Sequence, residues 1–273
     1  MKHKENYTYL TLLNSSNYLK GTLALNYMLK KNDSKYPLTV LTTDNIDNNV
    51  IGILDNYNIK HMKIPDVNVE ITNNDNLSYW KNTFSKLFVF GMIKFDKIVF
   101  LDSDMFVKQN IDELFEKDNL TAVSAGRKFP GNSNWINLNS GIMVIVPKEG
   151  EDKRLFNLMN NLIESKKLNN IGDQDVLHIA YPNWCKCPSL HLGEEYNTFA
   201  SYEGFYLSRK LVKLPIKVIH YVGKAKPWTM SNVDCMKYCI HISLSLIKRT
   251  KSVKGVGSFV LDFSKYRKLC MSF

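Results

Sequence analysis

No apolar stretch in this chain reaches the ~18 residues needed to cross a bilayer. Met1-Lys2-His3-Lys4-Glu5 leads into an apolar run too short for a signal peptide, so a cytoplasmic protein is expected. Cysteine is scarce. The five residues Cys185, Cys187, Cys235, Cys239 and Cys270 are odd in number and repeat no metal-ligand spacing, which argues against a disulfide framework and against a zinc site. They read as reduced small hydrophobes. There is no internal repeat. Basic residues do not interleave with aromatics outside the carboxyl-terminal tail, so nucleic acid is not an expected partner.

What is present is the makeup of an ordinary globule: 273 residues, 44% of them apolar, enough for one large α/β domain or for one domain with a short appendage. The formal charge of +10 is spread unevenly. From Thr229 to Phe273 eight Lys/Arg face only Asp234 and Asp262, so this segment carries +6 of the net +10. Residues 1–228 read as the main domain and 229–273 as a basic, helical appendage. Met236, Cys239, Ile240, Leu244 and Ile247 approximate helical spacing ahead of Lys248-Arg249-Thr250-Lys251. That pattern predicts an amphipathic helix packed on the domain with its polar face in solvent, followed by a cationic segment. The alternative is peripheral contact with an anionic membrane.

Tyr7 to Leu13 predicts a first strand and Leu19 to Leu29 a helix; Leu38 to Leu41, Ile46 to Leu54 and Ile59 to Ile64 follow as strand, helix and strand. This is the β-α-β-α-β rhythm of a nucleotide-binding half. The Asn-rich stretch from Pro65 to Ser78 reads as a long loop, Phe84 to Met92 as a helix and Lys97 to Leu101 as a buried strand. Further strands are expected at Thr121 to Ala125, Gly141 to Val146 and Lys217 to Tyr221, with helices at Asp152 to Ile163 and Gln174 to Ala180. The expected fold is α/β, with a mixed, mainly parallel central sheet flanked by helices.

Asp102-Ser103-Asp104 directly follows the Lys97 to Leu101 run, which puts two carboxylates on a loop at the carboxyl end of a strand, where α/β sheets keep their ligands. Residues i and i+2 of an extended chain point the same way, so both can grip one divalent cation whose remaining coordination sites take phosphate oxygens. An isolated Asp-x-Asp is equally a solvated turn, and a second copy stands at Asp173-Gln174-Asp175. A haloacid-dehalogenase-type phosphatase also places Asp-x-Asp behind an apolar strand, but Phe106 stands where that pattern wants Thr or Val.

Five other segments make the pair specific: Thr83-Phe84-Ser85-Lys86-Leu87, Asn110-Ile111-Asp112-Glu113-Leu114-Phe115, Asn139-Ser140-Gly141, Gly172-Asp173-Gln174 and His220-Tyr221-Val222-Gly223-Lys224-Ala225-Lys226-Pro227-Trp228. With Phe100-Leu101-Asp102-Ser103-Asp104, their order and spacing resemble the glycogenin-like family 8 glycosyltransferases over roughly Tyr7 to Trp228. The resemblance implies a single GT-A (Rossmann-like) domain that uses a UDP-sugar with Mn²⁺ or Mg²⁺ and transfers a hexose with retention of anomeric configuration. It implies a metal set of Asp102, Asp104 and His220, a neutral imidazole being well suited to Mn²⁺. Ser103 joins the donor site. Gly223 would let the backbone approach the diphosphate, and Lys226 would place a cation on the phosphates as charge develops there.

By the same resemblance Lys86 contacts the donor and Asn139, Ser140 and Gly141 lie beneath the sugar. Asp173 and Gln174 are the catalytic candidates, Asp173 on sugar hydroxyls and Gln174 near the anomeric carbon. Leu12, Asn14 and Tyr18 grip base and ribose. Gln174 is a poor nucleophile, so front-face attack with the departing phosphate as base is favoured. Plain structural readings stand beside these: an N-cap for Asp173, turn residues for Asn139 and Ser140, the polar face of a helix for Lys86.

Two departures are visible: Lys81 and Asn170 stand where the family has an Arg and a carboxylate. They keep open a non-catalytic nucleotide-sugar-binding protein. The acceptor is an unidentified hydroxyl of a sugar, protein or polyol. Tyr196, Tyr202 and Tyr206 read as packing residues, and no obligate self-glycosylation is expected. The number of copies is left open, a homodimer being compatible.

Overall fold

The computed structural model describes residues 5–67, 83–165 and 171–273. Its spine is a seven-stranded sheet. β1 (Tyr7–Leu13), β2 (Leu38–Thr42), β3 (Lys60–Lys63) and β4 (Lys97–Leu101) are joined in parallel in the order β3-β2-β1-β4. β7 (Asn139–Ile145) then pairs antiparallel with β4, β6 (Ala122–Val123) antiparallel with β7, and β8 (His191–Leu192) parallel with β6. The sheet is therefore mixed and mainly parallel, as its sequence pattern implied.

β4 shows why a strand at the centre of the sheet reads as an unbroken apolar run. Val99 and Leu101 enter one hydrophobic cluster and Ile98 and Phe100 the other, so both faces of the sheet are covered and no polar alternation is left. On the first face lie α1 (Leu19–Lys31) and α2 (Asn48–Asn56), which starts where the Asp47 side chain accepts from the Asn49 amide at 2.7 Å. On the second lie α3 (Glu151–Glu164), α4 (Asp173–Ala180) and Phe84–Gly91, expected as a longer helix but wound as a 3-10 helix. Phe84, Ser85, Lys86, Leu87, Val89 and Phe90 are all buried, so this helix has no solvent-facing stripe.

A smaller three-stranded sheet, β5 (Met105–Val107), β10 (Val218–His220) and β9 (Thr198–Phe199), follows the carboxylate loop. β10 runs antiparallel to β5 with His220 opposite Met105. That register carries the distant His220 to the carboxyl end of β4.

The tail departs from its sequence pattern. It forms two helices, α6 (Asn232–Thr250) and α7 (Val256–Met271), with α5 (Ala200–Arg209) packed beside them. Cys235, Leu246, Phe263, Tyr266 and Cys270 join the first core cluster. α6 continues through Lys248 and Arg249 instead of giving way to a separate cationic segment. Its Met236, Ile240 and Leu244, expected to pack on the domain, are 58%, 51% and 61% exposed. α7 accounts for the inversion, because it lies against α1, α5 and α6 and supplies the buried aromatic surface itself. No helix among the described residues is long and apolar enough to cross a membrane.

Candidate active site

Both strand pairings are extended by backbone bonds at the carboxylate loop. The Asp102 amide donates to the Gly141 carbonyl at 2.8 Å and the Tyr221 amide to the Asp104 carbonyl at 3.1 Å. Asp102, Ser103, Asp104, Gly141 and His220 are thereby drawn to one point. His220 Nε2 lies 3.2 Å from an Asp104 oxygen and 3.7 Å from an Asp102 oxygen. One ligand atom from each of the three residues falls within 4.8 Å of the others. A Cβ on Gly141 would stand 2.6 Å from His220 Cε1, so only glycine leaves the ring its place.

A chain of amides sets which imidazole nitrogen faces the carboxylates. The Gly141 N–H can only donate, so the side-chain atom of Asn139 3.0 Å away is its oxygen. That oxygen also receives a bond of 2.8 Å from Asn197, which must come from the Asn197 amide nitrogen. The Asn197 oxygen is therefore left for His220 Nδ1, at 2.9 Å. Nδ1 carries the proton and donates. Nε2 then converges with two carboxylates, an arrangement that is repulsive unless Nε2 is protonated or a cation lies among them. These donors fit a divalent cation of the Mn²⁺ or Mg²⁺ type.

Two lysines balance the outer carboxylate oxygens. Lys86 is 3.0 Å from Asp102 and 3.3 Å from Asp173, with Ser140 O and Oγ both at 3.2 Å. Burial alone would lower its pKa, but Asp102 and Asp173 outweigh burial and hold the ammonium above its ordinary value. The amphipathic-face reading of Lys86 therefore fails: the residue is 5% exposed and sits among carboxylates. Lys226 pairs with Asp104, donates to the Tyr221 carbonyl at 2.9 Å and lies 5.6 Å from the Tyr18 ring centre. Burial would raise the Asp104 carboxyl; His220 and Lys226 override it and hold it well below the usual range. Burial lifts Asp102, with Lys86 pulling back and Asp104 adding to the rise.

The other anticipated residues group around this centre. Gln174, at the start of α4, accepts from Asn139 at 3.1 Å and from the Ser140 amide at 3.3 Å. The Asp173 amide donates to Thr83 Oγ1 at 3.2 Å, while the cap is made by Asp175, which accepts from the Gly172 amide at 2.9 Å. Tyr18 meets Trp228 edge-on at 6.4 Å, and the Trp228 indole donates to the Asn17 carbonyl at 2.8 Å. Gly223 has a φ of +101° and open space where a side chain would be. Leu12 and Asn14, at the carboxyl end of β1, are half-buried. Lys81 and Asn170 lie outside the described residues.

Of the three tyrosines, Tyr206 is buried with its hydroxyl on Glu194, Tyr196 donates to Glu113 at 2.7 Å, and Tyr202 stacks on Phe129 at 3.8 Å. Two residues carry parts that the sequence did not assign to them. Asn197 sits beside two-residue β9 and is 0% exposed, its role visible only through its partners. Arg267, on α7, donates to the carbonyls of Pro227 and Met230 and so grips the segment that carries Lys226 and Trp228.

Residues 9–231 match the model of glycosyl transferase family 8. Human glycogenin-1 is 27% identical over 239 residues, covering 81% of this chain and 61% of the human protein. An uncharacterized protein of Acanthamoeba polyphaga mimivirus, R707, is 29% identical and covers 84% of both chains. A putative UDP-glucuronate:xylan alpha-glucuronosyltransferase of Arabidopsis thaliana is 30% identical, covering 83% of this chain and 37% of its own. Among solved structures, the galactosyltransferase LgtC with donor and acceptor sugar analogs superposes with a TM-score of 0.64 at 16% identity, covering 97% of this chain and 96% of that one. At that identity the likeness concerns the GT-A fold.

Proposed function

Because the chain belongs to glycosyl transferase family 8, we propose that it moves a hexose from a UDP-sugar to an acceptor hydroxyl with retention of configuration, using a divalent cation held by Asp102, Asp104 and His220. The carrying observation is the convergence of His220 Nε2 on two carboxylates, with Nδ1 already engaged by Asn197. Bound there, Mn²⁺ or Mg²⁺ would supply Lewis-acid neutralisation of the diphosphate.

The chain's own residues do the rest. Lys226 and the open backbone at Gly223 sit where negative charge grows on the leaving phosphate; fixed positive charge there lowers the barrier more than it stabilises the bound donor. Lys86 ties Asp102 to Asp173, so the metal side and the sugar side of the site keep a fixed spacing. Asp173 accepts from donor sugar hydroxyls. Gln174, held by Asn139 and the Ser140 amide, stands at the anomeric carbon as an orienting amide, not a nucleophile. The acceptor proton passes to the departing phosphate on the same face. Leu12, Asn14 and Tyr18 hold base and ribose.

A release assay tests this reading. With Mn²⁺ and a panel of UDP-hexoses, including UDP-glucuronate, free UDP should appear and should vanish in Asp102→Ala and Asp104→Ala, both folded. Nucleotide binding without release from any donor would instead support the non-catalytic binding protein.

A further inference from the structure

We propose that the outward face of α6 docks on an anionic membrane surface. Val233, Met236, Ile240 and Leu244, spaced by three and four residues, form one stripe along α6 and are 54%, 58%, 51% and 61% exposed. Lys237 and Lys248, both exposed, fall on one flank of that stripe at helical spacing, with His241 beside them. An apolar strip edged by cations is the pattern of a helix lying in the headgroup region.

The charge of the tail selects the occupant. Its two acids are already engaged: Asp234 accepts from the cap residue Ser231 at 2.7 Å, and Asp262 is buried on Lys108. Lys237, Lys248, Lys251, Lys254, Lys265 and Lys268 are exposed and form no ion pair among the described residues. A second copy meeting this face would set like charges against each other. Anionic lipid neutralises them, each lysine near such a surface adding about fivefold to binding.

Deletion after Trp228 is no control, since Phe259, Phe263 and Tyr266 belong to the core. Point variants of the full chain serve instead, in flotation with phosphatidylcholine vesicles with and without about 30% phosphatidylserine. The wild-type chain should float only with the anionic vesicles and release as salt rises to about 0.5 M. Lys237→Gln with Lys248→Gln should weaken binding about 25-fold, and Ile240→Glu with Leu244→Glu should abolish it, with unchanged circular dichroism. Equal flotation on neutral vesicles, or unweakened binding by the lysine variant, would overturn the proposal. So would sedimentation equilibrium showing a dimer that the glutamate variant dissolves.

Discussion

Replacing Asn197 with Ala tests the amide chain while leaving every proposed metal ligand in the chain. The side chain is fully buried, accepts from His220 Nδ1 at 2.9 Å and donates to Asn139 at 2.8 Å. Each bond is worth about 1 kcal/mol net, and a buried polar atom left unpaired costs ~1–3 kcal/mol. Part of that loss falls on folding and part on the metal site, because the imidazole becomes free to turn or to change tautomer. A partner in this position typically governs 10–100-fold in metal affinity, or ~1.4–2.7 kcal/mol. Titration of the variant with Mn²⁺, following free Mn²⁺ by EPR, should show a Kd raised by that factor; thermal melting would report the folding share separately. An affinity within about twofold of wild type would show that His220 is oriented by something other than Asn197.

Three further outcomes follow from the packing. Burial, with Asp262 close by, pushes the Glu203 carboxyl up to about 8. The folded chain then keeps a proton that the unfolded chain loses above about pH 4.5, so the contribution of this one group to stability is greatest below that pH and falls by about 1 kcal/mol per unit as pH climbs to about 8. Glu203→Gln should flatten this slope in urea melts at pH 5 and 8; an equal slope in both proteins would clear Glu203 of the effect. Gly141→Ala would drive a Cβ to 2.6 Å from His220 Cε1 and should weaken Mn²⁺ binding at least tenfold, with a folding cost of about 1–3 kcal/mol read separately from thermal melts. Normal binding would mean that the ring has room to yield. Arg267→Ala frees the segment holding Lys226 and should raise KM for the UDP-sugar by about tenfold, more than it lowers kcat. A fall confined to kcat would contradict a positioning role.

β4 was legible in the sequence because a strand buried on both faces leaves an unbroken apolar run, as at residues 98–101. Asp102, Asp104 and His220 were legible for a different reason: each lies at the end of a strand inside a recognisable segment. The structure also joins Lys86 to Asp102 and Asp173, a meeting that spacing alone could not specify. The role of Asn197, visible in the sequence only as half of the Tyr196-Asn197 pair, was not legible because nothing local distinguishes an asparagine that orients a histidine from one that closes a turn. α6 was misread because periodicity reveals that a helix has an apolar face but not which neighbour covers it. The apolar face of α6 stays open because α7 fills the core beside it, and the pattern of α7 is itself blurred by apolar residues on exposed positions such as Val260 and Leu261.

The central claim is that Asp102, Asp104 and His220 together hold a divalent cation that in turn holds a nucleotide diphosphate. Calorimetric titration of UDP into the chain, with Mn²⁺ and then with EDTA, tests it most directly. Binding should require the metal and should be lost in His220→Ala even at saturating Mn²⁺. UDP binding of equal strength in EDTA, or undiminished in His220→Ala, would contradict the account.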